Sequence, residues 1–337
     1  RKSSNRLITM RFSIIIPVYN RPDEVDELLH SLTLQRYTDF EVIVVEDGST
    51  VPCKDVVDRY ASCLDIKYFA KPNSGPGQSR NYGAERSRGD YLIILDSDCI
   101  IPEGYLKAIL NYSSLLPDAF GGPDRAHSSF TPIQKAINYS MTSFFTTGGI
   151  RGGKKKMDKF YPRSFNMGIR REVYEALGGF SDMRFGEDID FSIRIFKGGY
   201  SCELIPDAWV YHKRRTDLRK FFKQVHNSVI ARINLYKKYP ESLKPVHVLP
   251  ALFTLGVAFF LMGAIFCLYS LLPIICYALL VVIDASIQNR SLLTGIFAVA
   301  ASFVQLIGYG TGFLRAWWQR CVLGRAEFCA FSKHFYK

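Results

Sequence analysis

The chain has 337 residues, of which 48% are hydrophobic and 22% are charged, so the composition excludes an intrinsically disordered protein. Its 43 basic and 31 acidic residues leave a net charge of +12, which calls for an anionic partner such as nucleotide phosphates, anionic lipid or nucleic acid. The 8 cysteines show no Cys-x-x-Cys pair and no zinc-ligand spacing, which argues against a zinc module and is typical of a reducing compartment.

The first ten residues are polar and basic and contain no secretory signal. The sequence opens with Arg1, and Met10 directly precedes the first apolar run. We interpret residues 1–10 as a leader or an added segment and expect no function from them.

Residues 11–100 alternate between short apolar runs and stretches of helical character. Runs rich in Ile and Val that are bounded by turn residues predict strands over Phe12–Pro17, Glu41–Val45 and Tyr91–Leu95. Helices are predicted over Asp23–Leu34 and Gln78–Ser87. Continuous apolar strands separated by helices indicate a mainly parallel sheet covered on both faces, which is an α/β fold.

Polar residues follow each of the three predicted strands: Tyr19-Asn20, then Glu46 to Ser49, then Asp96 to Asp98. In parallel sheets ligands bind just beyond the carboxyl ends of the strands. This convergence predicts a binding site at that edge.

Asp96 and Asp98 give the sharpest chemical signal. Two carboxylates spaced i and i+2 at a strand end can face one hard cation, and Mg²⁺ or Mn²⁺ commonly bridges carboxylate to diphosphate. The cation would offset charge growing on a departing nucleotide diphosphate. A solvated turn without metal is the alternative interpretation of the same two residues.

Two further acidic groups allow both a functional and a structural interpretation. Asp47 could accept hydrogen bonds from a base or ribose, or it could cap a helix. Glu187 and Asp188 precede a predicted helix, with Asp190 close by. A general base must sit near its substrate hydroxyl, but acids at a helix N-terminus are also favoured by the helix dipole.

Arg80 and Asn81 follow a Gly-Pro-Gly turn at a predicted helix start, where a cation and backbone amides suit phosphate oxygens. Ordinary helix capping explains them equally well. His212 follows an apolar, strand-like run and could complete a metal shell, the alternative being a structural histidine.

Residues 121–165 are less regular and rich in Gly and Lys. We interpret this stretch as a mobile loop over the site.

The composition changes abruptly after residue 212. Residues 213–244 carry ten Lys or Arg and two acidic residues, with apolar residues at helical spacing, which predicts basic amphipathic helix on a membrane surface. Residues 245–283 contain no Asp, Glu, Lys or Arg, and this length suits a helical hairpin over about 246–287 that turns near Ser270–Pro273. A further uncharged segment, 291–314, contains Gly308-Tyr309-Gly310, which we interpret as a break, and a basic tail follows at 315–337.

The predicted organisation is thus a catalytic domain at 11–212 and a transmembrane region at 245–314. Two crossings and three crossings both remain open, because a third would place the basic tail opposite to the positive-inside tendency. In the two-crossing arrangement the segment 291–314 would be re-entrant or interfacial.

In its motifs the chain resembles family 2 glycosyltransferases, over about residues 11 to 215. The matching segments occur in the family's order: Ser13–Asn20, Val44–Ser49, Ser79–Gly83, Leu95–Asp98, Asn166–Gly168, Gly178–Phe180 and Gly186–Asp190. The Gln-x-x-Arg-Trp signature of processive members is absent after Phe221. The resemblance therefore implies transfer of one or a few sugars per acceptor.

The resemblance implies a GT-A fold, a nucleotide-sugar donor, a divalent metal (Mg²⁺ or Mn²⁺) and inversion at the anomeric carbon. By position, the nucleotide-sugar would be bound by Pro17, Tyr19, Asn20, Asp47, Arg80, Asn81 and Asp96. Asp98 would be the principal metal ligand, with Asp96 and His212 completing the shell. Asp188 would be the general base that deprotonates the acceptor hydroxyl, and Glu187 would support it.

The basic excess lies mostly beside the uncharged spans, so anionic lipid is a simpler partner than nucleic acid. Anchoring in the membrane favours a polyprenyl-linked or glycolipid acceptor, and a soluble acceptor is the alternative. We expect an integral protein of the bacterial inner membrane with its catalytic domain in the cytosol. A membrane receptor without catalysis is the main rival, and a nucleotidyltransferase is a lesser one.

Overall fold

The computed structural model describes residues 11–113, 115–125, 127, 129–147, 161–183, 185–213 and 217–328. The chain divides into two compact units. The sheet unit comprises Arg1–Arg125 with Lys156–His212, and the helical unit comprises Ala126–Lys155 with Lys213–Lys337. The predicted catalytic domain, 11–212, is therefore interrupted by a segment that belongs to the other unit.

All the described strands lie in the sheet unit. They are β1 Phe12–Val18, β2 Phe40–Asp47, β3 Ile66–Lys71, β4 Tyr91–Leu95, β5 Cys99–Ile100, β6 Ala119–Gly121, β7 Asp124–Arg125, β8 Asn166–Arg170, β9 Cys202–Leu204 and β10 Val210–His212.

The described helices are distributed over both units. The helices of the sheet unit and the first two of the helical unit are α1 Pro22–Thr33, α2 Lys54–Tyr60, α3 Pro76–Glu85, α4 Tyr105–Asn111, α5 Pro132–Thr142, α6 Phe144–Thr147, α7 Arg171–Ala176 and α8 Glu187–Lys197. The remaining ones are α9 Leu218–Lys238, α10 Leu249–Gly263, α11 Leu272–Asn289 and α12 Leu292–Trp317. Helices α5, α6 and α9 to α12 lie in the helical unit.

A seven-stranded sheet in the order β3-β2-β1-β4-β8-β6-β9 forms the centre of the sheet unit. The strands β3, β2, β1 and β4 are mutually parallel, whereas β8 is antiparallel to both β4 and β6. Alternate residues of β1 belong to the two core clusters on opposite faces of the sheet. This double burial explains why β1, β2 and β4 are continuous apolar runs, and it confirms the predicted α/β fold.

The predicted strands and helices of the first hundred residues agree with the structure to within two residues at each end. Strand β3 was not predicted. Its side chains are half-buried or exposed, because it is the edge strand of the sheet, so it lacks the continuous apolar run that marked the others.

A second, three-stranded sheet in the order β5-β10-β7 lies in the same unit. In it His212 pairs with Cys99, and Tyr211 pairs with Arg125. The pairing brings the residue after Asp98 next to His212, although the two are far apart in sequence.

The helical unit is arranged around α12. The buried positions of α12 are mostly small residues, and α5, α9, α10 and α11 pack against it. The apolar face of α9 packs against it, and Phe221, Val229 and Ile233 are fully buried. This corrects the prediction that 213–244 lies with its apolar face on a membrane surface, because in the described residues that face contacts protein.

Within the part of the chain that the structure describes, three helical stretches are long and apolar enough to cross a membrane: Pro245–Gly263, Leu268–Asn289 and Leu292–Val322. The chain between the first two turns at 264–271, slightly before the predicted turn. The predicted break at Gly308–Gly310 is wrong, because α12 runs through it as one helix. Its glycines allow close helix packing: a Cβ on Gly308 would lie 3.1 Å from the ring of Phe222.

The segment interpreted as a mobile loop, 121–165, contains β7, α5 and α6 within its described part. A capping box formed by Thr131 and Gln134 begins α5. The loop prediction is therefore wrong for 132–147, and its Gly- and Lys-rich portion, 148–160, lies outside the described residues.

Candidate active site

The ends of β1 and β2 are joined by the side chain of Asn20. Its Oδ1 accepts hydrogen bonds from the amides of Thr50 at 2.7 Å and Val51 at 2.9 Å, while its own amide donates to Ser49 Oγ at 2.7 Å. Asn20 adopts a left-handed backbone conformation with φ of 53°, which asparagine tolerates. Asn20 thus shapes the strand-end edge. Pro17 and Tyr19 lie half-buried beside it.

Asp47, at the end of β2, holds the loop that leads into α3. Its carboxylate accepts from the amide of Ser74 at 2.8 Å and from the amide of Gly75 at 2.9 Å, and it is paired with Lys71. Gly48 has φ of +70°, and a Cβ there would lie 2.7 Å from the amide of Asn73. The tight turn after Asp47 therefore requires glycine.

Arg80 connects the strand-end carboxylates to the acidic motif of α8. Its guanidinium is 3% exposed, with Nη2 2.9 Å from Asp96 Oδ1 and Nη1 2.8 Å from Glu187 Oε1. The planar fork of arginine suits two carboxylates at once. Phe180 lies under the guanidinium, 5.2 Å from the ring centroid. Arg80 thus joins three segments that are separate in sequence.

Glu187 and Asp188 begin α8 after Gly186, which caps the helix in the left-handed conformation. Burial raises the pKa of Glu187 to about 7; Arg80 opposes this rise and neighbouring Asp188 adds to it. A Cβ on Gly77 would lie 3.1 Å from Glu187 Cγ, so α3 and α8 approach closely. Asp188 Oδ2 lies 2.8 Å from Arg163 Nε.

Asp98 faces His212 rather than Asp96. Its Oδ1 lies 3.2 Å from His212 Nε2, and Arg21 forms an ion pair with the other oxygen. Burial alone would raise the pKa of Asp98, but His212 and Arg21 lower the pKa below its ordinary value. The Asp98 carboxylate is therefore held ionised.

Among the described residues, Asp98, Cys99 and His212 offer potential ligand atoms that all lie within 4.8 Å of one another. Asp98 Oδ1 is buried and lies 3.2 Å from His212 Nε2, and His212 Nδ1 is also buried and has no hydrogen-bond partner. A buried, ionised carboxylate beside an imidazole is able to bind a divalent cation, and a carboxylate oxygen is the kind of ligand that Mg²⁺ and Mn²⁺ prefer. Asp96 is not part of this group, because its oxygen is paired with Arg80.

The structure does not bring the side chain of Asn81 into this group. Its amide nitrogen donates to the carbonyl of Phe180 at 2.8 Å, and its Oδ1 accepts from the amide of Phe180 at 2.8 Å and from Tyr174 OH. Asn81 therefore positions the segment 179–180, whose Phe180 supports Arg80.

Sequence reasoning missed Arg21, Arg163 and Asp124 as neighbours of the site. Asp124 Oδ2 lies 3.9 Å from His212 Nδ1, because β7 and β10 are adjacent. Arg21 directly follows a predicted strand-end residue, and that position was the available signal. Arg163 lay in the segment interpreted as loop, and nothing in the local sequence marked it.

Two family models match the chain. Residues 13–178 match the model described as Glycosyl transferase family 2, and residues 164–288 match the one described as Glycosyl transferase family group 2. The mainly parallel sheet with flanking helices is a GT-A fold. Together the two matches span residues 13–288, and the chain belongs to the family 2 glycosyltransferases.

Curated relatives match parts of the chain. Poly(ribitol-phosphate) beta-N-acetylglucosaminyltransferase TarS of Staphylococcus aureus is 37% identical over 134 residues, covering 38% of this chain and 22% of that protein. The glycosyltransferase AglE of Haloferax volcanii is 26% identical over 258 residues, covering 70% of this chain and 83% of that protein. The chain thus spans less than a quarter of the length of relatives such as TarS.

The solved structure of the mannosyltransferase PcManGT from Pyrobaculum calidifontis, in complex with GDP-Man and Mn²⁺, has a similar fold. The TM-score is 0.62 at 18% sequence identity, covering 87% of each chain. At this identity the likeness establishes the fold.

Proposed function

We propose that this glycosyltransferase moves a sugar, with inversion, from a nucleotide-diphosphate sugar onto a lipid-linked or glycolipid acceptor, and that it requires a divalent metal. The observation that carries the proposal is the double ion pair of Arg80, which joins Asp96 of the predicted donor site to Glu187 of the predicted base motif. Donor chemistry and acceptor chemistry would then share one edge of the sheet.

Asp98 and His212 would hold the Mg²⁺ or Mn²⁺, and Asp96, which is paired with Arg80, would serve the ribose. When bound, the metal would offset the negative charge of the departing nucleotide diphosphate. Pro17, Tyr19 and Asn20 would line the nucleoside site, and Asp47 would keep the loop before α3 in place through Ser74 and Gly75.

Asp188 would accept the proton of the acceptor hydroxyl as the hydroxyl oxygen attacks the anomeric carbon. Attack from the face opposite the leaving diphosphate produces inversion. Glu187 would keep Arg80 aligned, and Arg163 would orient the carboxylate of Asp188.

The acceptor class is inferred from the helical unit. Side chains on the candidate spans are widely exposed, among them Phe259 at 71%, Met262 at 67% and Leu261 at 54%. Such surfaces are stable in hydrocarbon rather than in water, which supports anchoring in a membrane. We propose the bacterial inner membrane, with the sheet unit in the cytosol.

Donor hydrolysis by the purified protein tests the catalytic proposal. UDP-, GDP- and dTDP-sugars would be supplied with Mn²⁺ or Mg²⁺, with and without membrane lipid extract. We expect release of one nucleotide that depends on metal and is stimulated by lipid. The activity should be lost in Asp98→Ala and kept in Asp55→Ala, which changes an exposed carboxylate of α2.

Failure of the whole panel, together with an absence of nucleotide binding, would support a non-catalytic receptor instead. Metal-dependent release of nucleotide that lipid does not stimulate would support the catalytic proposal and reject the lipid acceptor.

We further propose that the basic start of α9 contributes to the acceptor entrance. Exchange of Lys220 and Lys223 for Gln should then lower activity on lipid acceptors but not hydrolysis of the donor. Equal activity on lipid acceptors would show that these lysines have no part in the entrance.

A further inference from the structure

Helices α5 and α6 are packed into the group of helices that could span a membrane. Ala136, Ile137 and Tyr139 of α5 belong to one buried cluster with residues of α11 and α12, namely Val281, Ala285, Ala298 and Ala301. This packing places a segment that interrupts the sheet unit among the most apolar helices of the chain.

Two hydrogen bonds fix the course of this segment along α11. Tyr139 OH donates to Asp284 Oδ2 at 2.6 Å, and Tyr277 OH donates to the carbonyl of Phe145 at 3.3 Å. Seven residues of helix separate Asp284 from Tyr277, which corresponds to about 10 Å along the axis. Between Tyr139 and Phe145 the chain therefore advances toward the middle of α11.

Tyr277 lies near the middle of the 22-residue candidate span Leu268–Asn289. About 14 Å of helix precedes it and about 18 Å follows it, so it would be far from both surfaces of a bilayer whose apolar core is about 30 Å thick. Because the carbonyl of Phe145 contacts Tyr277, α6 reaches a comparable depth.

The carbonyl groups at the end of α5 and in α6 accept hydrogen bonds from hydroxyl side chains. Thr146 Oγ1 donates to the carbonyls of Ser140 at 2.6 Å and Ser143 at 3.1 Å, and Thr147 Oγ1 donates to that of Ser143 at 2.8 Å. Backbone groups that leave a helix inside hydrocarbon need such internal partners because water is absent. The local hydrogen bonding is therefore suited to a position in the membrane.

The tip of this segment presents an aromatic pair. Phe144 is 71% exposed and Phe145 is 41% exposed, with their ring centroids 5.9 Å apart. In water this exposure would be unfavourable, at roughly 25 cal/mol for each Å² of apolar surface. In a bilayer, the surface of Phe144 and Phe145 would contact acyl chains, as the exposed residues of the spans would.

We propose that residues 131–147 enter the bilayer beside α11 and α12, with Phe144 and Phe145 in contact with the acyl chains of membrane lipids. The proposal rests on the membrane anchoring proposed above. It adds a second, earlier segment of the chain to the membrane-embedded part.

Depth-dependent fluorescence quenching tests the proposal on the full chain reconstituted in phosphatidylcholine and phosphatidylglycerol vesicles. A genetically encoded fluorescent amino acid would replace Phe144, and the vesicles would contain lipids brominated either near the headgroup or deep in the acyl chains. The fluorescent amino acid in place of Phe259 of α10 is the membrane control. In place of Val51, which is 55% exposed in the sheet unit, it is the aqueous control.

We expect the label at position 144 to lose more than half of its emission with deep bromines and less with shallow ones, as at position 259. Two results at position 144 would overturn the proposal: quenching no greater than at position 51, or quenching by shallow bromines only. If position 259 is still quenched in that case, the membrane anchoring itself stands. Absence of quenching at 259 would overturn both. A label at Phe145 repeats the measurement if the chain labelled at 144 does not reconstitute.

Discussion

Arg80 is the residue on which the geometry of the site depends most. A buried guanidinium between two carboxylates is stable because each charge has a partner within hydrogen-bond distance. Its orientation is set by Phe180, which Asn81 holds through both backbone groups. The position of Asp96 relative to Glu187 thus depends on a side chain that need not touch the sugar.

Exchange of Arg80 for Lys keeps the charge but removes the fork, so one carboxylate loses its partner. We expect kcat for donor turnover to fall about 100-fold or more, because small displacements of catalytic groups have effects of this size. The matched control is Arg86→Lys at the end of the same helix, where the guanidinium is 36% exposed. Equal losses in both variants would show that the double ion pair has no special role.

The raised pKa of Glu187 has a consequence for stability. Its pKa rises from 4.5 to about 7 in the folded chain through burial, so folding favours the protonated form. This contribution to stability is present below pH 4.5 and is lost as the pH rises through about 7. The Glu187 carboxyl therefore contributes less to the stability of the folded chain at pH 7 and above than at pH 4.5.

We expect the thermal unfolding midpoint of the wild-type chain to fall by about 2–4 °C more than that of Glu187→Gln between pH 5 and pH 8. Scanning calorimetry in detergent solution would measure both midpoints. The control is Glu85→Gln, which changes a carboxylate that is 71% exposed. Parallel curves for wild type and Glu187→Gln would contradict the assigned pKa.

The site residues that could be predicted from sequence are those at strand ends. Asp47, Asp96 and Asp98 were found because strand ends follow from local apolar runs, and the sheet topology then collects them at one edge. The ion pairs that connect the site residues to one another could not be found in this way. The contact of Arg21 with Asp98 spans 77 residues, and that of Arg80 with Glu187 spans 107.

At the scale of elements, the glycines of α12 are compatible with two opposite predictions, a break in the helix and a surface for close helix packing. Gly308 and Gly310 suggested a break in the sequence. In the structure they lie on helix faces where α9 and α10 approach, and a Cβ on Gly312 would lie 2.5 Å from Val229 Cγ1. Sequence alone could not separate a hinge from a packing surface, because the difference lies in the neighbours.

Gly312→Ala should therefore destabilise the helical unit, although alanine is the better helix former by about 1 kcal/mol. We expect a lower thermal unfolding midpoint for this variant. Gly256→Ala in α10, where a Cβ would meet nothing within 4 Å, should leave the midpoint unchanged or raise it. A lower midpoint for Gly256→Ala as well would assign the effect to something other than packing.

At the scale of the whole molecule, the chain passes between the two units three times, after residues 125, 155 and 212. The strands of the sheet unit were predictable because they are local and apolar. The discontinuous division into units was not predictable from the sequence. The apolar residues of α5 pack against α11 and α12, which follow more than a hundred residues later in the chain.

A chain ending at residue 212 would contain the sheet unit together with α5 and α6 but without their packing partners. We expect this fragment to aggregate, because Ile137, which is fully buried in the whole chain, and its neighbours become exposed. The same fragment carrying Ile133→Glu, Ile137→Glu and Phe145→Glu should give more soluble protein. Size-exclusion chromatography of both would decide, and equal solubility would argue against an apolar role for α5.

The interruption of the sheet unit also orders events during synthesis. Strand β8, which completes the sheet between β4 and β6, leaves the ribosome after α5 and α6, so the catalytic core cannot close before this segment has emerged. Asp284, the partner of Tyr139, follows Phe145 by 139 residues of chain, which takes about 7 to 28 s to translate at about 5–20 residues per second. During that interval the nascent segment lacks its partners in α11 and α12. If the segment enters the bilayer as proposed, the bilayer would be its first binding surface, and the ribosome would be brought to the membrane before the first spanning helix has been made.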